Sequence, residues 1–330
     1  MRVLLTGANG FIGSHLLQGL LERGFEVSIL LRRTSDTRFI DEELDRVRVT
    51  YGGLRSAESL REAVDGAEAV VHCAAKTKAL RREEYYAVNA EGTRNLVEAC
   101  NASGAPLRRF VLVSSLSVSG PGTPADPARE DRRPRPVSDY GRSKMLAERW
   151  VRRRCRAPHS IVRPGAVYGP RDRDFLLVFQ TLLRGIVPLV NGGRQMVSLI
   201  YVRDVVRGIL AALDCDAASG GTYHLAHPAP CSQRELQRRI ADAMGVRPVP
   251  VLVPHVLLYP VCAVQEAAAR LTGRPSILNV QKVAEYAAPG WVCATDRAAD
   301  DLGFVAETPL DEGLRLTLDW YLQHGWLRPR

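Results

Sequence analysis

The sequence predicts an α/β fold, a doubly wound parallel sheet with a smaller α/β domain behind it. Short apolar runs alternate with helix-periodic stretches over residues 1–167. The first run ends in three glycines at a strand-to-helix corner. The 330 residues leave room for a second, smaller unit over 168–330. Alternation of this length requires parallel pairing through right-handed crossovers, which gathers ligand sites at the carboxyl ends of the strands. Segments such as 197–215 are expected to return and pack on the first unit.

Val3-Leu4-Leu5 is the first strand. After Thr6 to Gly13, Leu16, Leu17, Leu20 and Leu21 continue the helical spacing begun by Ile12, and Gly24 stands at the expected C-cap. Glycine lets the backbone turn tightly and approach a ligand closely. A helix start offers unpaired N–H groups and a positive dipole end to an anion. Gly7, Asn9, Gly10, Phe11, Ile12 and Gly13 are therefore the expected cradle for a dinucleotide's phosphates. The spacing is Gly-x-x-Gly-x-x-Gly, not the commoner Gly-x-Gly-x-x-Gly. Without its flanking strand and helix it reads equally as a tight glycine-rich turn.

Glu26–Leu31 is the second strand and ends in Arg32-Arg33. That strand end meets the adenine ribose, where a carboxylate suits a 2′-hydroxyl and arginine a 2′-phosphate. No acid follows until Asp36, so Arg32 and Arg33 favour NADP over NAD; the alternative is a basic surface loop. Arg46–Thr50 is a third strand, followed by Gly52-Gly53-Leu54 and a helix capped by Ser56. Ala69–His72, the fourth strand, runs into Cys73-Ala74-Ala75-Lys76. Small residues there let a flat cofactor lie close, so Leu54, Ala74, Ala75 and Lys76 are expected to border it. A long helix over Tyr86–Ser103 and a fifth strand, Arg109–Val113, lead to Ser114-Ser115. The Pro- and Arg-rich stretch 120–137 is long enough to be a substrate-side flap, and Ser160–Arg163 is a sixth strand.

Asp139 to Lys144 opens a helix on which Tyr140 and Lys144, four apart, share a face. A tyrosine hydroxyl ordinarily ionises near pH ~10, and an adjacent ammonium lowers that value by favouring the phenolate. Tyr140 can then exchange a proton with a substrate hydroxyl or carbonyl while hydride moves to or from a nicotinamide. Ser115 is expected to hold the substrate oxygen and Lys144 to reach the cofactor's ribose. Alone, Tyr-x-x-x-Lys describes many helix starts. After a dinucleotide corner and a Ser-Ser strand end it describes an active site.

Seven cysteines are scattered without a Cys-x-x-Cys pair, and no His or Cys cluster has metal spacing, so no metal is expected. The net charge of +9 is carried almost wholly by arginine; Lys76, Lys78, Lys144 and Lys282 are the only lysines. The basic residues are spread along the chain without aromatic interleaving, which argues against a nucleic-acid partner. A small-molecule substrate is expected instead. No run is apolar for long enough to cross a bilayer, so no integral membrane segment is expected. The N-terminus enters a strand without the regions of a signal peptide, so the expected location is cytoplasmic.

These pieces together resemble the extended short-chain dehydrogenase/reductase family, of the NAD-dependent epimerase/dehydratase type. The match rests on Thr6 to Gly13, His72-Cys73-Ala74-Ala75, Val88 to Thr93, Val113-Ser114-Ser115, Tyr140 to Lys144 and Arg163-Pro164-Gly165, and extends through Tyr201 to Val205 and Ala299 to Phe304. The resemblance implies a Rossmann domain with a small C-terminal substrate domain. It implies catalytic Ser115, Tyr140 and Lys144, with Asn89 as a helper in a proton relay. It also implies that Ser114, Pro164, Gly165 and Val167 border the cofactor. Many relatives dimerise through helices like those carrying Arg94 and Trp150, so a homodimer is expected by analogy. Three positions depart from the family pattern. Gly53 replaces an acid usual after the third strand, Val118-Ser119-Gly120 replaces the Val-Tyr-Gly of sugar-nucleotide epimerases, and Val197 replaces an arginine that grips their diphosphate. Ser114-Ser115 also differs from the Thr-Asp or Thr-Glu of dehydratase members.

The second domain reads as helices over Phe175–Arg184 and Arg203–Leu213, a strand over Val197–Tyr201, and a helix opened by a Ser232–Glu235 capping box. Residues 246–272 are its most apolar part, interrupted by prolines and His255. Core and pocket lining is one reading; loose membrane attachment or an apolar substrate entrance is the other. His224 and His227 read as structural. The whole favours an NADP-dependent oxidoreductase acting on an apolar ketone or secondary alcohol, nearest the 3β-hydroxysteroid dehydrogenase and dihydroflavonol reductase branches. The alternatives are a nucleotide-sugar epimerase that retains its NAD(P), and a non-enzymatic NADP sensor, which has no use for Tyr140.

Overall fold

The computed structural model describes residues 1–104, 106–272 and 280–328, with side chains outside 266–282. Seven parallel strands build the main sheet: β1 (Arg2–Thr6), β2 (Glu26–Leu31), β3 (Arg48–Tyr51), β4 (Ala69–His72), β5 (Arg109–Val113), β6 (His159–Pro164) and β7 (Thr222–Leu225). Their spatial order is β7-β6-β5-β4-β1-β2-β3. Strand β1 carries four buried residues of five, and β4 and β5 are buried throughout, as strands covered on both faces must be. Strand order reverses between β1 and β4, so a crevice opens beyond Thr6 and His72, where doubly wound sheets hold ligands.

One face of the sheet is covered by α1 (Phe11–Glu22). Its Leu16, Leu17 and Leu20 share a core with Val3 and Leu5, and with Val205 and Ile209 of a later helix. The other face is covered by α2 (Ala57–Val64), α3 (Gly92–Ala102) and α4 (Asp139–Arg154), which bury Leu60, Leu96 and Val151 against Leu4, Val70 and Phe110. After β6 come α5 (Arg173–Leu183), α6 (Val202–Asp214), which supplies Val205 and Ile209, and α7 (Gln233–Met244). A third core joins Phe179 of α5, Leu199, Ile240 of α7, and Leu314 and Tyr321 of the helix Leu310–Gln323. Phe11 and Val167 pack against it, which brings this core beside the glycine corner.

Strands β2, β4 and β5 occupy the residues read from the sequence. Three places differ. The long helix starts earlier, at Arg82, and widens into a π turn over Tyr86–Glu91 before α3; the extra residue in that turn carries Asn89 inside. The strand expected over Val197–Tyr201 is two pieces in different sheets, Met196–Val197 and Leu199–Tyr201. Between them the Ser198 amide donates to the Trp291 carbonyl, and the Ser198 carbonyl accepts from Ala166. The stretch 120–137 lies along Trp291 to Cys293 through bridges at Gly122 and Ala128. None of its residues lines the main cavity, so it is an outer wall and not a flap. Among the described residues no helix is long and apolar enough to cross a membrane, and no group of three or more side chains could hold a metal.

Candidate active site

Beyond Thr6 the chain turns at Gly7 with φ of 79°. A Cβ on Gly7 would stand 2.6 Å from the Ala74 nitrogen, and one on Gly13 would stand 1.9 Å from the Gly7 carbonyl oxygen. Both glycines are therefore required by the packing of the corner itself. Gly10 N–H donates to the Gly7 carbonyl at 3.0 Å and closes the turn. Gly10 is also the N-cap of α1, with no side-chain cap and no acid in the first turn. The N–H groups of that turn and the positive helix end face a cavity of about 1460 Å³ lined by Gly7, Asn9, Gly10, Phe11, Ile12 and Gly13. Unspent donors at an uncapped helix start fit the diphosphate of a dinucleotide.

The same cavity takes in Arg32 and Leu54 at one end, Ala74, Ala75 and Lys76 beyond β4, and Pro164, Gly165 and Val167 beyond β6. Arg33 is turned away: its guanidinium lies over the Tyr51 ring, 5.2 Å from the centroid, and is not part of the wall.

Ser115, Tyr140 and Lys144 all line this cavity. Helix α4 starts under a Ser138 cap, whose hydroxyl accepts from Gly141 N–H at 3.3 Å. Lys144 is fully buried and its ammonium donates to the Val113 carbonyl at 2.7 Å. Burial pushes its pKa down to about 8, against the opposing pull of Cys73 and Glu148. The Tyr140 ring meets Tyr85 edge-on at 6.2 Å. Ser115 Oγ accepts from Ser117 N–H at 3.2 Å.

Asn89 lies behind this group, fully buried and outside the cavity wall. Its amide clamps the Lys76 backbone, accepting from N–H at 2.7 Å and donating to the carbonyl at 3.0 Å, and donates to Ser143 Oγ at 2.9 Å. Ser143 in turn donates to the Tyr140 carbonyl at 2.7 Å. The Thr93 hydroxyl donates to the Asn89 carbonyl at 2.6 Å, so its oxygen can only accept from His72 Nε2 at 2.9 Å. Nδ1 of His72 then accepts from Thr6 at 2.6 Å. Burial, with a smaller push from Lys144, drives this neutral histidine's pKa down to about 3.

Beneath Ser114-Ser115 lies a buried ion pair. The Arg163 fork grips Glu148 at 2.8 and 2.6 Å, Ser114 Oγ donates to the same carboxylate at 2.6 Å, and Arg152 reaches it at 3.2 Å. Burial alone would raise the Glu148 pKa; the bonds and charge of Arg163 more than reverse this and hold it below the usual carboxylate range. Arg163 Nη1 also donates to Ser119 Oγ at 3.0 Å, which bonds His224 Nε2 at 2.7 Å. His224 is thus a buried structural histidine, pushed down to about 3 first by burial and then by Arg163. Ser114 spends its hydroxyl inward, although it reaches the cavity wall.

The far end of the cavity is lined by Val178, Leu182, Val190, Leu236, Trp291 and Val197, with Gln195, Gln233 and Gln237 as its amides. Gln195 and Gln233 are bonded to one another at 2.6 Å, whereas Gln237 Oε1 is buried without a partner among the described residues. Arg194 is exposed and absent from this wall.

Arg171 is among the cavity residues that the sequence does not mark. It has φ of 72°, forced by the turn in which Asp172 accepts from Asp174 and Phe175 to cap α5. Its guanidinium lies 5.6 Å over Phe39, and Nη1 is buried with no partner among the described residues. The neighbouring Pro170 carbonyl bonds His15 of α1 at 3.0 Å, which sets Arg171 beside that helix's start.

Comparison with known proteins fits this geometry. The model of the NAD dependent epimerase/dehydratase family matches residues 3–226. Ceramide reductase of Caulobacter vibrioides is 32% identical over 328 residues, covering 98% of this chain and 96% of that protein. The 2-alkyl-3-oxoalkanoate reductase of Stenotrophomonas maltophilia is 28% identical over 334 residues, covering 96% and 98%. The structure of MoeE5 in complex with UDP-glucuronic acid and NAD superposes with a TM-score of 0.76 at 27% identity, over 98% of this chain and 100% of that one.

Proposed function

The chain belongs to the NAD-dependent epimerase/dehydratase family as one of its oxidoreductases, and from that premise we propose that it transfers hydride between NADPH and the ketone of an apolar, lipid-like substrate. The observation that carries the substrate reading is the far end of the cavity. The side chains that Val178, Leu182, Val190, Leu236, Gln195 and Val197 bring to it are uncharged, and the cations of the cavity wall come from the segments 32–78 and 171–173 and from Lys144. A nucleotide sugar would bring a diphosphate there, and desolvating that charge without a partner is costly. Relatives named for ceramide and for 2-alkyl-3-oxoalkanoates support an apolar ketone. The likeness to MoeE5, held with UDP-glucuronic acid, supports the alternative of a nucleotide-sugar epimerase.

Arg32 on the wall, at a second-strand end that carries no carboxylate, supports NADP over NAD. When bound, the dinucleotide supplies or receives the hydride. Tyr140 gives its phenolic proton to the substrate oxygen as carbonyl becomes alcohol, and the Lys144 ammonium offsets the resulting phenolate. Ser115, its oxygen held by the Ser117 N–H, directs its proton to the same substrate oxygen. Asn89 acts by position: through Ser143 and the Lys76 loop it fixes the start of α4 against the end of β4. Arg171, with its unspent nitrogen beside the start of α1, meets the dinucleotide diphosphate.

The test is nicotinamide absorbance with long-chain 3-oxo compounds and with UDP- and GDP-sugars. Net NADPH consumption with the former is expected. Sugar interconversion without net consumption would replace this reading with the epimerase.

A further inference from the structure

Within the apolar stretch 246–265 Cys262 is buried and Val246 packs on the third core, but most of the other large apolar side chains stay exposed. Val249–Val253 pairs in parallel with Ile186–Val190, and the chain then forms a short 3-10 turn and the helix Leu258–Thr272. Side chains beyond Gln265 lie outside those described. On this two-stranded sheet and the turn after it, Leu252 is 67% exposed, Val249 65%, Leu257 57%, Val256 56%, and Val264 on the helix 70%. A soluble surface scatters such residues singly; here they are contiguous in sequence and share one ribbon and its following helix.

The charge carried by the ribbon's two strands and the residues flanking them in the chain has one sign. No acid occurs between Asp242 and Glu266, nor anywhere in 184–195, while Arg184, Arg194 and Arg247 are exposed around the same ribbon. The ribbon also forms part of the substrate wall. Pro188 is exposed and lines the cavity at the same time, and Val190 beside it lines the cavity too.

We propose that this face docks on an anionic lipid bilayer, with the side chains of Val249, Leu252, Val256, Leu257 and Val264 entering the headgroup boundary and the three arginines meeting acidic headgroups. Exposed apolar side chains flanked by arginine match the two attractions that hold a protein at an interface: buried apolar area and counter-charge. Docking in this pose turns the Pro188 wall of the cavity toward the lipid. The lipid-like substrate proposed above would enter there, but the docking itself does not depend on that reading.

The test is flotation of the purified chain with vesicles of phosphatidylcholine alone or mixed with phosphatidylglycerol, with no substrate present. Co-flotation with the mixed vesicles is expected, weakening in high salt. The double substitution Val249→Asp/Leu252→Asp is expected to lower partitioning by about tenfold or more, since each apolar side chain contributes on that order. Arg184→Glu/Arg247→Glu acts on the charge arm and is expected to remove the preference for phosphatidylglycerol. Melting temperature and dinucleotide binding of both variants should match the parent, which separates lost docking from lost fold. Failure of the parent to float, or equal flotation of parent and both variants, overturns the proposal. So does light scattering that shows a dimer dissolved by Val249→Asp/Leu252→Asp with no vesicle binding, since the face would then belong to a second copy.

Discussion

At the residue scale, Tyr140 and Lys144 are joined by more than their spacing. Lys144 sits where burial lowers its pKa to about 8, so its charge is held at a cost that a nearby phenolate would relieve. Tyr140→Phe removes the proton but little volume. It is expected to cut turnover by about 10²–10⁴-fold while dinucleotide affinity, read by fluorescence titration, stays within about twofold. Unchanged turnover would remove Tyr140 from the acid-base role. The two arginines at the dinucleotide end separate by what they meet. Arg32→Ala is expected to weaken NADPH by about 10–100-fold and leave NADH nearly unchanged, because only the 2′-phosphate is lost to it. Arg171→Gln should weaken both alike by about tenfold or more, since both carry the diphosphate. Tighter binding of NADH than NADPH by the unaltered protein would contradict the reading of Arg32.

At the scale of elements, α4 carries two functions on one helix. Its first two turns present Tyr140 and Lys144 to the cavity, and one turn after Lys144 Glu148 ties it to Arg163 of β6. Breaking one side of a buried pair strands the other charge. Glu148→Gln is therefore expected to destabilise the fold by about 3–5 kcal/mol in urea unfolding, far more than loss of an exposed pair such as Arg238–Asp242. A loss no larger than that of an exposed pair would show that the fork is dispensable. The π turn before α3 works in the same way: it brings Asn89 inward, where one amide holds both the Lys76 loop and the start of α4.

At the scale of the whole molecule, His72 and His224 are fully buried and neutral, with pKa values driven to about 3. The unfolded chain protonates them near pH ~6.5, so below that pH it binds protons the folded chain refuses. Their contribution is complete above about pH 6.5 and is lost progressively as the pH falls toward the folded-state values, by up to about 1.4 kcal/mol per histidine per pH unit. The urea midpoint is expected to fall clearly between pH 7 and pH 5; an unchanged midpoint would mean that these histidines titrate normally.

What the sequence determined by itself was local. The glycine corner, the alternation of β1 to β6, the caps at Ser56 and Ser232, and the pairing of Tyr140 with Lys144 all depend on contacts within a few residues, so spacing alone reveals them. Tertiary structure decided what depends on distant partners. Thr222–Leu225 is too short and too mixed to announce itself as a strand, yet pairing with β6 makes it the seventh. Arg32 and Arg33 look equivalent along the chain, but Tyr51 across the next strand draws Arg33 away from the cavity. Arg171 reads as an ordinary loop residue until the turn at Asp172 and the approach of α1 bury one nitrogen of its guanidinium. The stretch 246–272 was apolar in sequence either way; whether it faces inward depends on the room left in the third core. Phe179, Leu182, Ile240 and Leu314 fill that core together with Val187 and Leu189 of the ribbon's first strand, and Val249, Val251 and Leu252 of its second strand stay outside.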